Sequence, residues 1–258
     1  MLKVGIVGFC GRMGHALWEC CLGTEGAKVV CGIDTNTTSL PIGCNVEVVD
    51  DPYKLSEAPD LFIDFSRPLC SLNVLKYAKE HQCSVVLGTT GFDYAQRDQI
   101  KEYSKYIPIC MAANFSIGVN LLLNLVKKAT SIMADADLEI IEAHHRYKVD
   151  APSGTALALG EAAACGRHVN LKDVMISGRD GITGERQYGS IGFSSVRGGD
   201  IVGEHTCMFC SEGERLELKH IATSRQNFAR GAFRAALFLE GKNAGLYSMN
   251  EVLGLDSL

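Results

Sequence analysis

The sequence predicts an α/β fold in which a doubly wound parallel sheet precedes a second, α+β domain with a mixed sheet. Through the first 115 residues, short apolar runs alternate with helical patterns, which is typical of β-α-β units. After that point, strands follow one another across glycine-rich loops. The chain has 258 residues, of which 47% are apolar, and this suits two domains with separate cores.

The first domain is predicted to contain five buried strands with helices between them. The strands are residues 3–7, 28–33, 61–65, 84–87 and 108–111. The covering helices are residues 14–21, 68–80 and 93–105, which have the length and polar content of helices packed on a sheet. Such an alternation predicts a parallel sheet with helices on both faces.

The second domain is predicted to begin with a long helix and to continue as a sheet. Apolar residues at i, i+3, i+4 and i+7 mark one helix face: Val119, Leu122, Leu123, Val126, Ala129, Thr130 and Met133. The predicted strands are residues 138–145, 190–196, 201–209 and 215–221. A final helix, with Ser224 as its predicted N-cap, returns to the pattern of the first domain. We therefore assign residues 1–115 and 227–258 to the first domain and residues 116–226 to the second.

Composition excludes several classes of protein. The net charge is -5 and the sequence pI is about 5.8, so nucleic acid is not an expected partner. No apolar run reaches the roughly 18 residues of a membrane span, and no signal peptide is recognisable. The eleven cysteines are an odd number without a framework spacing, so we expect reduced thiols, no metal site and a cytoplasmic protein.

A glycine-rich turn follows the first strand. It spans residues 8–14 and leads directly into a helix, the context in which backbone amides approach a pyrophosphate. Its spacing departs from G-x-G-x-x-G, because Cys10 stands at the second glycine and Gly11 follows it. Asp34 ends the next strand, where an acidic side chain would accept bonds from ribose hydroxyls. Together these features predict a Rossmann-type dinucleotide site.

Two more loops follow later strands of the same sheet. One is residues 88–91, with Gly88, Thr89 and Thr90; the other is residues 112–115. In doubly wound sheets the ligand crevice forms at the carboxyl ends of the strands. Small side chains and hydroxyls at these ends suit close packing on a nicotinamide and its ribose.

The densest cluster of charge spans residues 142–155. His144, His145, Arg146 and Lys148 lie within five residues, and crowding such cations together is costly unless an anion receives them. The cluster ends in a segment that opens an alanine-rich helix, whose free amides suit a carboxylate. The sequence thus predicts a pocket for an acidic small molecule.

These motifs resemble those of the dihydrodipicolinate reductase family, also called 4-hydroxy-tetrahydrodipicolinate reductases, over nearly the whole chain. The most specific segments are residues 142–155, 63–68, 88–92, 112–115 and 198–205. The resemblance implies NAD(P)H-dependent reduction of a cyclic, unsaturated dicarboxylate to tetrahydrodipicolinate. The pathway implied is lysine and diaminopimelate biosynthesis, and the assembly implied is a cytoplasmic homotetramer.

The resemblance also implies roles for individual residues. His144 and Lys148 match the proton-transfer residues of the family, while His145, Gly154 and Thr155 match its substrate contacts. The residues that correspond to cofactor contacts are Gly8, Phe9, Cys10, Gly11, Arg12, Met13, Asp34, Gly88, Thr89, Thr90, Ala112, Ala113, Asn114 and Phe115. Lys148 and His144 both suit proton delivery, and the residues alone do not distinguish the donor.

Asp34 also bears on the choice of cofactor. An acid at this position repels a 2′-phosphate, and the next residue is Thr35 and not an arginine, so NADH is the expected cofactor ahead of NADPH. Two other classes share the glycine loop: a nicotinamide-sensing regulatory protein and a different Rossmann reductase acting on an amino-acid semialdehyde. The first has no need of His144 and Lys148, and the second usually needs a nucleophilic cysteine near the site.

Overall fold

The computed structural model describes residues 1–255. The chain divides into two compact units, one formed by Met1–Ile117 with Arg225–Gly254 and the other by Gly118–Ser224 with Leu255. Within the described residues, no helix is long and apolar enough to cross a membrane.

Helices and strands follow one another in this order. The first stretch contains β1 (Leu2–Val7), α1 (Arg12–Leu22), β2 (Ala27–Ile33), β3 (Glu47–Val49), β4 (Leu61–Asp64), α2 (Pro68–His81), β5 (Ser84–Leu87), α3 (Tyr94–Ser104) and β6 (Pro108–Met111). The second contains α4 (Ile117–Ile132), β7 (Asp137–His144), α5 (Gly154–Gly166), α6 (Leu171–Val174), β8 (Met175–Ser177), β9 (Ile191–Arg197), β10 (Gly203–Ser211) and β11 (Glu214–Ala222). The chain then forms α7 (Gln226–Leu239), β12 (Gly245–Tyr247) and α8 (Met249–Leu253).

The first unit contains a seven-stranded parallel sheet. Its strand order is β12-β6-β5-β4-β1-β2-β3, so the order reverses between β1 and β4. Successive side chains of each strand lie on opposite faces of the sheet. Val4 and Ile6 belong to the core formed with α1 and α7, whereas Val7 belongs to the core formed with α2 and α3. The predicted doubly wound sheet is confirmed, and the reversal between β1 and β4 is where such sheets bind ligands.

The second unit contains a five-stranded mixed sheet. Its order is β11-β10-β7-β9-β8; β10 is antiparallel to β11 and β7, and β9 is parallel to β7 and β8. One face is covered by α4 and α5, and Leu122, Val126 and Leu159 pack there against Ile140 and Phe209. The predicted mixed sheet is therefore confirmed.

Local differences from the sequence prediction are confined to short elements and to element ends. The strands β3, β8 and β12 have only three residues each, too few to show a periodic pattern. The strand predicted from Ile201 begins at Gly203, because residues 199 and 200 still form a turn. The N-cap position of α7 is Arg225 and not Ser224.

Candidate active site

The glycine-rich loop lies at the carboxyl end of β1. Gly8 has a φ of +77°, and a β-carbon there would lie 2.9 Å from the carbonyl oxygen of Phe65, so the position requires glycine. Gly11 is the N-cap of α1 and offers no capping side chain. The first-turn amides of α1 therefore suit an anion such as a pyrophosphate.

Asp34 fastens this loop to the end of β2. Its Oδ2 accepts a hydrogen bond of 2.9 Å from the backbone N–H of Cys10, and its Oδ1 accepts one of 2.9 Å from that of Asn36. A carboxylate oxygen has two lone pairs, so both oxygens retain capacity for a ribose hydroxyl. Cys10, which stands in place of the second glycine, thus contributes its backbone N–H to the contact between the loop and Asp34.

Two grooves open at the carboxyl edge of the parallel sheet. The first measures about 830 Å³ and is lined by Gly8, Gly11, Asp34 and Arg67 among others. The second measures about 440 Å³, and its lining includes Thr89, Thr90, Ala112 and Ala113. Volumes of this size suit small-molecule ligands.

Asp64, at the end of β4, joins two loops of this edge. Its Oδ1 accepts hydrogen bonds from the Ser66 backbone N–H (2.9 Å), the Ser66 hydroxyl (2.6 Å) and the Thr89 hydroxyl (3.0 Å). Complete burial raises the pKa of Asp64, and the bonds from Ser66 oppose that rise. The Thr89 hydroxyl also accepts a hydrogen bond from the Ser66 N–H, so both of its hydrogen bonds link loops within the protein.

The other predicted cofactor residues occupy different environments. Phe9 and Phe115 have side chains in the hydrophobic core, so they can present only backbone atoms to a ligand. Gly88 faces the ring of Phe65, which a β-carbon would overlap. The remaining three are Arg12, which is exposed, and Met13 and Asn114, which are half-buried.

In the second unit, Glu142 and His144 lie on the same face of β7, because they are two residues apart on a strand. Nδ1 of His144 lies 2.6 Å from Oε2 of Glu142. Just beyond the strand, Lys148 donates to both carboxylate oxygens of Asp150, at 2.8 and 2.9 Å. His145 is half-buried, and no described residue hydrogen-bonds to its Nδ1.

Helix α5 begins at the end of the same segment. Ser153 is its N-cap, and the Ser153 hydroxyl accepts a 3.2 Å bond from the Ala156 N–H. Gly154 is exposed and Thr155 is half-buried in the first turn. Amides at this end of a helix favour a carboxylate.

Glu142 is the centre of a buried network, with only 1% of the residue exposed. Arg197 donates to both of its oxygens, at 2.8 and 2.7 Å, and the Ser153 N–H donates to Oε1 at 3.2 Å. Burial alone would raise the pKa of Glu142, but hydrogen bonds from Arg197, Ser195 and His144 outweigh burial and hold it at about 2. Glu142 is therefore ionised at neutral pH.

His205 completes this network. Its Nε2 lies 3.0 Å from the Ser153 hydroxyl, and its ring meets that of His144 edge to face at 5.2 Å. Burial, and then the neighbouring His144, lower the pKa of His205 to about 4. Burial also lowers the pKa of His144, against the opposing effect of Glu142.

Sequence reasoning missed Arg197 and His205 as members of this cluster. Pairing of β7 with β9 brings Arg197 beside His144, and pairing of β7 with β10 brings His205 beside Glu142. Both residues lie in or next to the 198–205 segment singled out above. Glu142 was detectable from its i, i+2 spacing to His144.

His205 leads to a prediction about acid stability. The His205 imidazole takes up a proton near pH 6.5 in the unfolded chain but only near pH 4 in the folded chain. Its contribution to the free energy of unfolding is therefore complete above pH 6.5 and is lost as the pH falls toward 4. Between pH 7 and pH 5 we expect a loss of about 2 kcal/mol from His205. Urea unfolding at the two pH values measures it.

The control for this prediction is a second histidine variant. His205→Asn should reduce the pH dependence by about this amount, the remainder coming from His144 and His220, whose pKa values burial also lowers, whereas His168→Asn, at an exposed position, should leave it unchanged. Glu142 does not interfere, because its contribution is lost only below about pH 4.5. Equal pH dependence in the wild type and His205→Asn would contradict the assignment.

The fold and the first-unit loops define a nicotinamide-dependent oxidoreductase of the Rossmann class. Models of the dihydrodipicolinate reductase family match the chain over residues 2–115 for the N-terminal part and 118–253 for the C-terminal part. The chain therefore belongs to the dihydrodipicolinate reductase family. It is an NAD(P)H-dependent oxidoreductase of lysine and diaminopimelate biosynthesis, and not a nicotinamide sensor or a reductase of an amino-acid semialdehyde.

Solved structures agree with this assignment. A dipicolinate-bound dihydrodipicolinate reductase from Paenisporosarcina sp. TG-14 is 26% identical, with a TM-score of 0.79 and coverage of 97% of this chain and 98% of the other. A probable dehydrogenase from Thermotoga maritima is 10% identical, with a TM-score of 0.64 and coverage of 98% and 93%. A myo-inositol dehydrogenase from Corynebacterium glutamicum is 12% identical, with a TM-score of 0.59 and coverage of 93% and 89%. The last two show a shared fold alone.

Proposed function

We propose that the chain reduces 4-hydroxy-tetrahydrodipicolinate with His144 and Lys148 as its proton-transfer residues and with NADH as its preferred cofactor. The observation that carries this proposal is the convergence of His144, Lys148 and the first turn of α5 within residues 142–155. His145, Gly154 and Thr155 are the proposed substrate contacts. The first unit is the proposed dinucleotide-binding domain, and the second is the proposed substrate-binding and oligomerisation domain of a cytoplasmic homotetramer.

The residues of the first unit fit a nicotinamide dinucleotide. The positive φ of Gly8, the uncapped start of α1 and the carboxylate of Asp34 match a pyrophosphate followed by a ribose. When bound, the cofactor supplies a hydride to the unsaturated ring. Thr90, Ala112 and Ala113 line the groove proposed for its nicotinamide end.

The residues of the second unit bind the substrate carboxylates and transfer the proton. Lys148 holds Asp150 in this structure, and a substrate carboxylate is the same chemical group as that of Asp150, so it can take over those bonds. His144 is anchored through Nδ1, which leaves Nε2 to exchange a proton. A positioned acid of this kind typically contributes a factor of about 100 to 10,000 in rate.

Cofactor choice is the first prediction of this proposal. We expect a higher kcat/KM with NADH than with NADPH, because Asp34 repels a 2′-phosphate and Thr35 offers no compensating charge. Charges about 4 Å apart interact by roughly 1 to 4 kcal/mol, so the preference should lie between about fivefold and several hundredfold. Thr35→Arg should shift the ratio toward NADPH. A wild-type preference for NADPH would contradict the role given to Asp34.

Dipicolinate tests the proposed carboxylate pocket. This planar analogue keeps two carboxylates but resists hydride, so we expect it to compete with the substrate and not with NADH. Calorimetric titration should show binding to the wild type and roughly 10- to 100-fold weaker binding to Lys148→Ala, since a charge-assisted hydrogen bond is lost. Lys172→Ala, at an exposed position, is the control. Competition with NADH, or no binding at millimolar analogue, would overturn the pocket.

A further inference from the structure

The carboxylate of Glu142 is acceptor-only, because it is ionised in the folded protein. Its Oε2 faces Nδ1 of His144 and one guanidinium nitrogen of Arg197. Its Oε1 faces the other Arg197 nitrogen and the Ser153 N–H. Nδ1 of neutral His144 must therefore carry the proton, which makes Nε2 the bare nitrogen.

The Nε2 side of the ring is kept clear by a glycine. A β-carbon at Gly203 would lie 3.1 Å from Nε2 of His144, closer than side chains ordinarily pack. The groups that face His144 are Glu142, His205, Lys148 and Arg197. Burial lowers the pKa of His144, the cations Lys148 and Arg197 lower it further, and Glu142 opposes this shift. The ring is thus held at Nδ1, bounded by His205, and faced at Nε2 by a glycine that carries no side chain.

We propose that Glu142 is a positioning residue for the reduction, which holds His144 in the Nδ1–H tautomer so that Nε2 takes up a proton from solvent, delivers it to the ring that has received the hydride, and returns to the bare form. Through the Ser153 N–H, the same carboxylate also holds the N-cap of α5. This inference rests on the proposed function in its reference to His144. Glu142 itself need not touch the substrate.

Glu142→Gln tests the proposal, because the amide must place one NH₂ group in the network. At the Oε1 position the NH₂ would face two donors that cannot accept, an Arg197 nitrogen and the Ser153 N–H. At the Oε2 position it would face one such donor, the other Arg197 nitrogen, together with His144, which can accept by changing tautomer. The Ser195 hydroxyl, which also bonds to Glu142, can donate or accept and so does not discriminate between the two placements. We therefore expect Glu142→Gln to convert His144 to the Nε2–H form.

Nitrogen-15 NMR of the histidine rings reads the tautomer without any turnover. The signals of His144 are assigned by their loss in His144→Gln, and the expected forms are Nδ1–H in the wild type and Nε2–H in Glu142→Gln. In parallel, kcat of Glu142→Gln should fall roughly 10- to 100-fold with KM changed much less. Glu139→Gln is the matched control on the same strand, where Glu139 pairs with Arg179 and Arg186, and it should change neither property.

Gly203→Ala provides an independent variant should Glu142→Gln fold poorly. It should lower kcat while His144 stays in the Nδ1–H form, because the bond to Glu142 is untouched. The proposal would be overturned by an Nε2–H tautomer of His144 in the wild type. It would also be overturned if Glu142→Gln changed neither the tautomer nor kcat, or if Gly203→Ala kept full kcat. If the wild type reduced no substrate, the proposed function would fail while the NMR result still tested the role of Glu142.

Discussion

Lys148→Ala is expected to lower kcat/KM by roughly 100-fold or more. The variant loses a charge-assisted contact to a substrate carboxylate, worth about 1.5 to 3 kcal/mol, and also impairs proton delivery. Both KM and kcat should therefore change. His144→Ala should act mainly on kcat, because the imidazole exchanges a proton and does not carry the carboxylate contact.

Steady-state kinetics with direct measurement of NADH affinity separates these effects. The Kd for NADH should stay at the wild-type value in both variants, and Lys172→Ala should behave as the wild type. Wild-type turnover in both variants would remove His144 and Lys148 from the reaction. A loss of NADH affinity alone would assign them to the cofactor.

Gly14→Ala is expected to damage the dinucleotide loop. Gly14 is buried in α1, and a β-carbon there would overlap the carbonyl oxygens of Gly8 and Phe9, which are backbone atoms with little freedom to move. Overpacking of this kind costs about 1 to 3 kcal/mol or more. We expect a lower unfolding midpoint and an NADH Kd raised roughly tenfold or more.

Gly23→Ala is the matched control for Gly14→Ala. Gly23 caps the other end of α1, and a β-carbon there would lie 3.9 Å from its nearest neighbour, the carbonyl oxygen of Cys20. It should therefore leave NADH binding unchanged. Equal NADH affinity in the wild type and Gly14→Ala would show that the loop tolerates the displacement.

Much of the fold follows from periodicity within single segments. The buried run of β1, the glycine turn and the position of Asp34 lie close together in sequence, so the parallel sheet and its proposed dinucleotide loop were predictable. The three-residue strands were not, because they are too short to show a period. The end of β7 was predictable to within one residue.

The buried part of the candidate site depends on strand register. Arg197 reaches Glu142 from β9, and His205 reaches Ser153 from β10, across separations of 55 and 52 residues. No local pattern states which residues of two distant strands will pair. The candidate catalytic residues within 142–155 could therefore be predicted from the sequence. Arg197 and His205, which contact them from distant strands, could be placed only from the structure.

The most direct test of this account is the oxidation of NADH, followed by absorbance, in the presence of freshly generated 4-hydroxy-tetrahydrodipicolinate. We expect saturable oxidation that depends on the substrate, is faster with NADH than with NADPH, and is strongly reduced in Lys148→Ala and His144→Ala. Absence of oxidation with either cofactor, in a folded protein that binds NADH, would contradict the central claim.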